Sequence, residues 1–151
     1  MKVVFLLGSK SDSDFSGKMV SFLEKWNVQC EVVVASAHKV PEKVFSIINE
    51  NNKKEKDLVY ITIAGRSNGL SGVVAANSVH PVIACPPFQD KVDFMVNINS
   101  TLMMPSDTPV MTVIDPINAA LSALKIFGIS NAKIREKLKD KIKEIKKSFE
   151  S

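Results

Sequence analysis

The sequence predicts one α/β domain built on a parallel β-sheet with helices on both faces. Three observations lead there. Five apolar runs of strand length, residues 3–7, 31–35, 58–64, 81–85 and 110–114, recur along the chain. Most are rich in valine and isoleucine, and their apolar character is nearly continuous rather than alternating, as in strands covered on both faces. Segments with helical spacing separate them, and each parallel crossover needs a helix packed back on the sheet. A flavodoxin-like three-layer α/β/α sandwich is the form this order predicts.

Taken in order, the first strand follows Met1-Lys2 and ends at Gly8. Phe15, Met19, Phe22, Leu23 and Trp26 then recur at three- and four-residue steps, the stripe of a helix facing a core. Val44, Ile47 and Ile48 repeat the pattern after Pro41, which suits a first helical turn. Residues 118–127 form a third such stretch, for which Gly128 is the expected C-cap. From 130 to 151, Ile134, Leu138, Ile142, Ile145 and Phe149 make one narrow apolar stripe among charged residues. This C-terminal amphipathic helix either packs on its own domain or lies on another subunit. Residues 1–130 are read as the α/β domain and 131–151 as that extra helix.

The 151 residues suit a single domain, and 45% hydrophobic with 24% charged residues exclude a disordered or fibrous chain. The net charge of +4 sits entirely at the end: residues 1–130 carry twelve cations and twelve anions, residues 131–151 eight and four. It therefore gives no support for nucleic-acid binding by the domain. The opening apolar run is too short for a secretory leader, and no stretch nears the roughly 18 apolar residues of a membrane span. Cys30 and Cys85 are too few for a disulfide framework, so a reduced, cytoplasmic protein is expected.

In a doubly wound sheet, ligands bind beyond the carboxyl ends of the strands. Three loops lie there. The first, Gly8-Ser9-Lys10-Ser11-Asp12-Ser13-Asp14, enters a helix and offers N–H groups and hydroxyls to an anion, although Ser and Asp are also ordinary N-caps. It has neither the G-x-G-x-x-G spacing nor a P-loop lysine, so NAD and nucleoside triphosphates have no positive support. The second, Ser36-Ala37-His38-Lys39-Val40-Pro41, places a histidine at the active edge, suited to proton transfer, beside a cation for a phosphate. His80 precedes Pro81 at the start of a strand and is read as structural. The third, Ala64-Gly65-Arg66-Ser67-Asn68-Gly69-Leu70-Ser71-Gly72, has three glycines that would let the backbone approach a small ligand, or would simply turn into the next helix. No aspartate ends this strand, against a phosphoacceptor receiver domain, and the first loop has no threonine-rich phosphate motif of a flavin site.

Together the three loops, with Pro81-Val82-Ile83-Ala84-Cys85-Pro86-Pro87 and Ile126-Phe127-Gly128, resemble the aminoimidazole ribonucleotide (AIR) carboxylase family of purine biosynthesis. The resemblance covers most of the chain. One branch of that family moves a carboxyl group from a carbamate nitrogen to a ring carbon, and its third loop contains a histidine. Here Arg66-Ser67-Asn68 stands without one, and Lys39 replaces the usual arginine, as in the branch that uses carbon dioxide directly. Ser71-Gly72-Val73 departs from the glycine and proline that animal members carry before the valine.

The resemblance implies reversible carboxylation of AIR at C4 to 4-carboxy-AIR (CAIR), by a carboxy-lyase that needs no metal, ATP or other cofactor. Carbon dioxide is a co-substrate. His38 is then the acid and base at C4. Gly65, Arg66 and Ser67 form the carbon dioxide pocket, with Asn68 and Gly69 completing the loop. Ser9, Ser11, Asp12, Ser36 and Lys39 hold the ribose phosphate. The family also implies a homo-oligomer, a tetramer or octamer, with no nucleic-acid or membrane partner, and 151 residues suffice for the carboxylase domain without the synthetase domain fused to it in animals. The alternatives are an N5-carboxy-AIR mutase of the same fold and a nucleotide-binding domain without catalysis.

Overall fold

A computed structural model describes residues 1–150. Five strands, β1 (Lys2–Leu7), β2 (Gln29–Val34), β3 (Leu58–Ile63), β4 (Val82–Ala84) and β5 (Met111–Thr112), form one parallel sheet ordered β2-β1-β3-β4-β5. This is the flavodoxin-like order, with its switch point between β1 and β3. The helices are α1 (Ser13–Glu24), α2 (Pro41–Lys54), α3 (Gly69–Asn77), α4 (Lys91–Leu102), α5 (Pro116–Ser130) and α6 (Ala132–Lys147), with a 3-10 turn at Lys10–Asp12. None among the described residues is long and apolar enough to cross a membrane.

Side chains alternate across the sheet and so build two cores. Val3, Phe5 and Leu7 face α1, α5 and α6 through Met19, Leu23, Leu124, Phe127 and Ile134. Val4 and Leu6 face α2 and α3 through Val44, Ile48, Leu70 and Val74. Burying each large apolar side chain contributes roughly 1.5–3 kcal/mol, and β1 and β3 are buried along nearly their whole length. Leu7 pairs with both Val34 and Ile63, so the three strands finish level with one another. Two further backbone bonds, Gly8 N to Ile63 O at 2.8 Å and Ala35 N to Leu7 O at 2.9 Å, bring the first residues of three loops to one edge.

Two expectations need correction. β2 is not covered on both faces: as the sheet edge it leaves Val32 44% exposed, with Gln29 and Glu31 also exposed. Gly128 does not cap a helix, since α5 continues through Ser130 and Asn131 caps it. A β-carbon at Gly128 would stand 3.3 Å from Leu138 Cδ1, so the glycine there admits α6 rather than ending α5. The stripe of α6 divides: Ile134 and Leu138 are buried in the domain, while Ile142, Ile145 and Phe149 are exposed. The domain therefore covers only the first part of the stripe. His80 lies near the amino end of β4, its Nε2 3.3 Å from Asn51 O, whose Nδ2 donates to Tyr60 Oη at 2.9 Å.

Burial pushes the Cys85 thiol up to about 12, with the negative charge of Asp115 adding to it. It pushes the Cys30 thiol up to about 11, helped by Glu24. At pH 8 both thiols of the native protein should react with a disulfide reagent far more slowly than free cysteine, and both should react freely in denaturant. The unfolded chain loses these protons near the ordinary 9.0 while the native chain keeps them, so stability should fall as pH rises from 9 towards 12. A denaturation midpoint that holds constant across that range would contradict this.

Candidate active site

The first loop is shaped by its own side chains. Ser9 is extended, and its Oγ accepts from Ser11 N–H at 3.3 Å and Ser11 Oγ at 3.0 Å. Asp12 Oδ2 accepts from Ser9 N–H at 2.9 Å, which closes a capping box over the 3-10 turn. Burial raises the Asp12 carboxyl above its usual range, partly offset by that bond from Ser9. Gly8 is required by close approach: a β-carbon there would lie 3.2 Å from Ala64 Cβ. The turn carries hydroxyls and a carboxylate to the mouth of the sheet between β1 and β3.

The second loop leaves β2 through Ala35 and turns at once, with Val40 N–H donating to Ser36 O at 2.9 Å. Pro41 then begins α2. His38 and Lys39 stand at the turn's outer side, both exposed. The imidazole rests against Gly69, where a β-carbon would be 2.9 Å from Nε2 and 3.2 Å from Cε1.

The third loop is held from α4. Arg66 has φ 58°, the left-handed region, which costs a side-chain-bearing residue on the order of 1–2 kcal/mol. Its N–H donates to Asn97 Oδ1 at 2.6 Å, while Asn97 Nδ2 donates to Pro87 O at 2.7 Å. The Arg66 guanidinium is 82% exposed and 3.7 Å from Oδ1 of Asp93, whose own side chain is only 19% exposed. The arginine thus faces solvent, with this one long contact to a carboxylate as its only ion pair among the described residues.

These loops wall one cleft of about 710 Å³, within the range of small-molecule sites. Of the residues expected from the sequence, Ser9, Ser11, Asp12, Ser36, His38, Lys39, Gly65, Arg66 and Ser67 line it. Asn68 and Gly69 do not. Asn68 is 4% exposed and caps α3: its Oδ1 accepts from Ser71 N–H and Ser71 Oγ, and its Nδ2 donates to Thr101 Oγ1. Gly69 makes room for His38. At the three glycines the atoms nearest a β-carbon belong to protein side chains, Asn97 at Gly65, His38 at Gly69 and Met104 at Gly72, and of the three only Gly65 lines the cleft.

The far wall was missed. Pro87, Phe88, Gln89, Asp90, Asp93, Val96 and Asn97 come from the loop after β4 and from α4. The rule that selects loops at carboxyl ends of strands applies equally to β4, and Asp90 carries the second signal. It is an N-cap, its Oδ1 accepting from Val92 N–H at 2.9 Å and Asp93 N–H at 2.8 Å. The completed cleft sets one imidazole, the cations Lys39 and Arg66, the carboxylates Asp12, Asp90 and Asp93 and a cluster of hydroxyls around one space.

Comparison with known proteins agrees with that geometry. The model of the family "AIR carboxylase" matches residues 2–148. A phosphoribosylaminoimidazole carboxylase of Archaeoglobus fulgidus is 46% identical over 154 positions, covering 99% of this chain and 84% of the relative. The human bifunctional phosphoribosylaminoimidazole carboxylase/phosphoribosylaminoimidazole succinocarboxamide synthetase is 37% identical over 142 positions, 93% of this chain. This chain spans about a third of that longer protein, 33% of its length. The crystal structure of Treponema denticola PurE superposes with a TM-score of 0.91 at 36% identity, covering 98% of this chain and 93% of that one. By family model, sequence and fold alike, the chain belongs to the AIR carboxylase family.

Proposed function

We propose that the chain is a carbon dioxide-using carboxylase of purine biosynthesis, converting AIR and carbon dioxide reversibly to CAIR without ATP. One observation carries this reading: His38 shares its cleft with the loop Gly65-Arg66-Ser67, and no second histidine is there. His80 lies at the other edge of the sheet. A mutase of the same family would call for the histidine that this loop lacks.

In this reading Ser9, Ser11, Ser36 and Lys39 hold the nucleotide phosphate, and Asp12 accepts from ribose hydroxyls. C4 of AIR, made nucleophilic by the ring amine, attacks the carbon of carbon dioxide. A carbon–carbon bond forms, and one carbon–oxygen π pair moves onto oxygen, where Arg66 and loop N–H groups stabilise the charge. His38 then removes the C4 proton and the C–H electron pair restores the aromatic ring. In reverse, the imidazolium protonates C4 and carbon dioxide leaves. The reaction requires carbon dioxide to be held close to C4 and away from water. The reading invokes no cofactor.

The deciding assay supplies purified protein with AIR plus bicarbonate, or with N5-carboxy-AIR, and follows CAIR absorbance. Product from AIR plus bicarbonate alone is expected; product from N5-carboxy-AIR alone would make the protein a mutase, and none from either would leave a binding domain. Arg66→Ala should raise the KM for bicarbonate by about tenfold, the loss of roughly 1.4 kcal/mol, while nucleotide affinity changes little. Unchanged bicarbonate saturation would misplace the pocket.

The same reading places the protein in the cytoplasm as a homo-oligomer, a tetramer or octamer. The support is apolar surface: Val92 is 75% exposed, Met103 81% and Phe149 87%, on α4, just after it, and beyond α6. A monomer leaves such residues in water; an assembly covers them.

A further inference from the structure

We propose that Asn97 is a positioning residue for the carboxylation step: it fixes the Gly65-Arg66 backbone against Pro87 and so aims Arg66 into the cleft. This rests on the carboxylase reading above. Asn97 is 3% exposed, and its amide is used at both ends. Oδ1 accepts from Arg66 N–H at 2.6 Å and Nδ2 donates to Pro87 O at 2.7 Å. One side chain from α4 therefore joins the loops that follow β3 and β4.

Gly65 is shaped to this amide. A β-carbon there would stand 3.0 Å from Asn97 Nδ2, 3.2 Å from Cγ and 3.2 Å from Oδ1, so the amide packs directly on the glycine. The next residue is Arg66, with φ 58° and its N–H turned to Oδ1. A residue with a side chain stays in the left-handed region only where its surroundings hold it. The rest of the inward face of α4 continues the clamp: Ser100 Oγ accepts from Asn68 N–H at 2.7 Å, and Thr101 Oγ1 accepts from Asn68 Nδ2 at 2.9 Å. None of these bonds reaches the Ser9–Asp12 turn or Ser36. Loss of the clamp should therefore disturb the carbon dioxide side of the cleft and spare the nucleotide side.

The test pairs Asn97→Ala with Asn97→Asp: aspartate keeps an acceptor for Arg66 N–H but loses the donor to Pro87 O and sets a carboxylate oxygen against that carbonyl. In Asn97→Ala the KM for bicarbonate is expected to rise by about tenfold or more, with AIR affinity within about twofold, and Asn97→Asp should show a rise of the same kind because the tie to Pro87 is lost. A normal Asn97→Ala, a normal Asn97→Asp, or a parallel loss of AIR affinity would each overturn the proposal.

Amide hydrogen exchange in the wild-type protein needs neither variant folding nor turnover. The exposed Arg66 should show an N–H protected by about 100-fold or more, and unprotected exchange there would overturn the clamp. Should the wild type prove unable to use bicarbonate, the carboxylase reading fails while a protected Arg66 amide leaves the clamp standing.

Discussion

Replacing His38 with asparagine is expected to lower turnover by about a thousandfold, within the range that a positioned acid or base supplies. Asparagine approximates the imidazole in size and polarity and removes its ability to take a proton at C4. AIR binding should change by less than about twofold, because the phosphate and ribose contacts assigned to Ser9, Ser11, Asp12, Ser36 and Lys39 are untouched. Steady-state rates in both directions, with calorimetric AIR binding, check it. Exchange of the C4 proton of AIR with solvent should stop as well. A variant with near-normal rates would remove His38 from the mechanism. One that loses binding and rate equally would make it a substrate contact.

Gly69→Val should reach the same histidine from behind. The imidazole occupies the space a side chain at 69 would need, with Nε2 only 2.9 Å from the position of a β-carbon. A valine must push the ring off its place, and displacement of a reacting group by about 1 Å can lower a rate by about a hundredfold. Gly69→Ala adds one carbon, and the ring can yield by swinging outward, so its loss should be smaller. Residue 69 opens α3, where φ is negative, so the backbone tolerates both replacements. The expected signature is a graded fall in kcat from glycine to alanine to valine at constant thermal stability. Equal kcat in all three would mean that the contact does not fix the imidazole.

The central architecture was legible because the strands that define it are the most completely buried. β1 and β3 carry long apolar runs, and a parallel sheet is the arrangement that buries such runs on both faces. β2 misled because Val32, Val33 and Val34 read as a core strand, whereas edge position depends on pairing that composition does not encode. α4 escaped for a different reason. Its Val92, Met95, Val96 and Leu102 are exposed, and the buried residues are Asn97, Thr101 and a single apolar one, Ile98. A reader of periodicity takes the apolar face for the inner one and is turned round. The first three loops were legible because histidine, hydroxyls and arginine announce chemistry. Asn97, Asn68 and Gly69 act by holding other groups, and such roles depend on neighbours distant in the chain.

α6 has one property that follows from where its anchoring stops. The helix runs to Lys147, but its last residue buried on the domain is Leu138. The nine residues beyond extend a helix already nucleated, but no tertiary packing holds them, and packing of an apolar face is what supplies most helical stability. In a free subunit those turns should fray, and cover over Ile142, Ile145 and Phe149 should wind them. Far-ultraviolet ellipticity thus becomes a gauge of association: helix content should rise with protein concentration, in step with mass from light scattering. If the mass rises and the ellipticity stays flat, the subunits meet elsewhere.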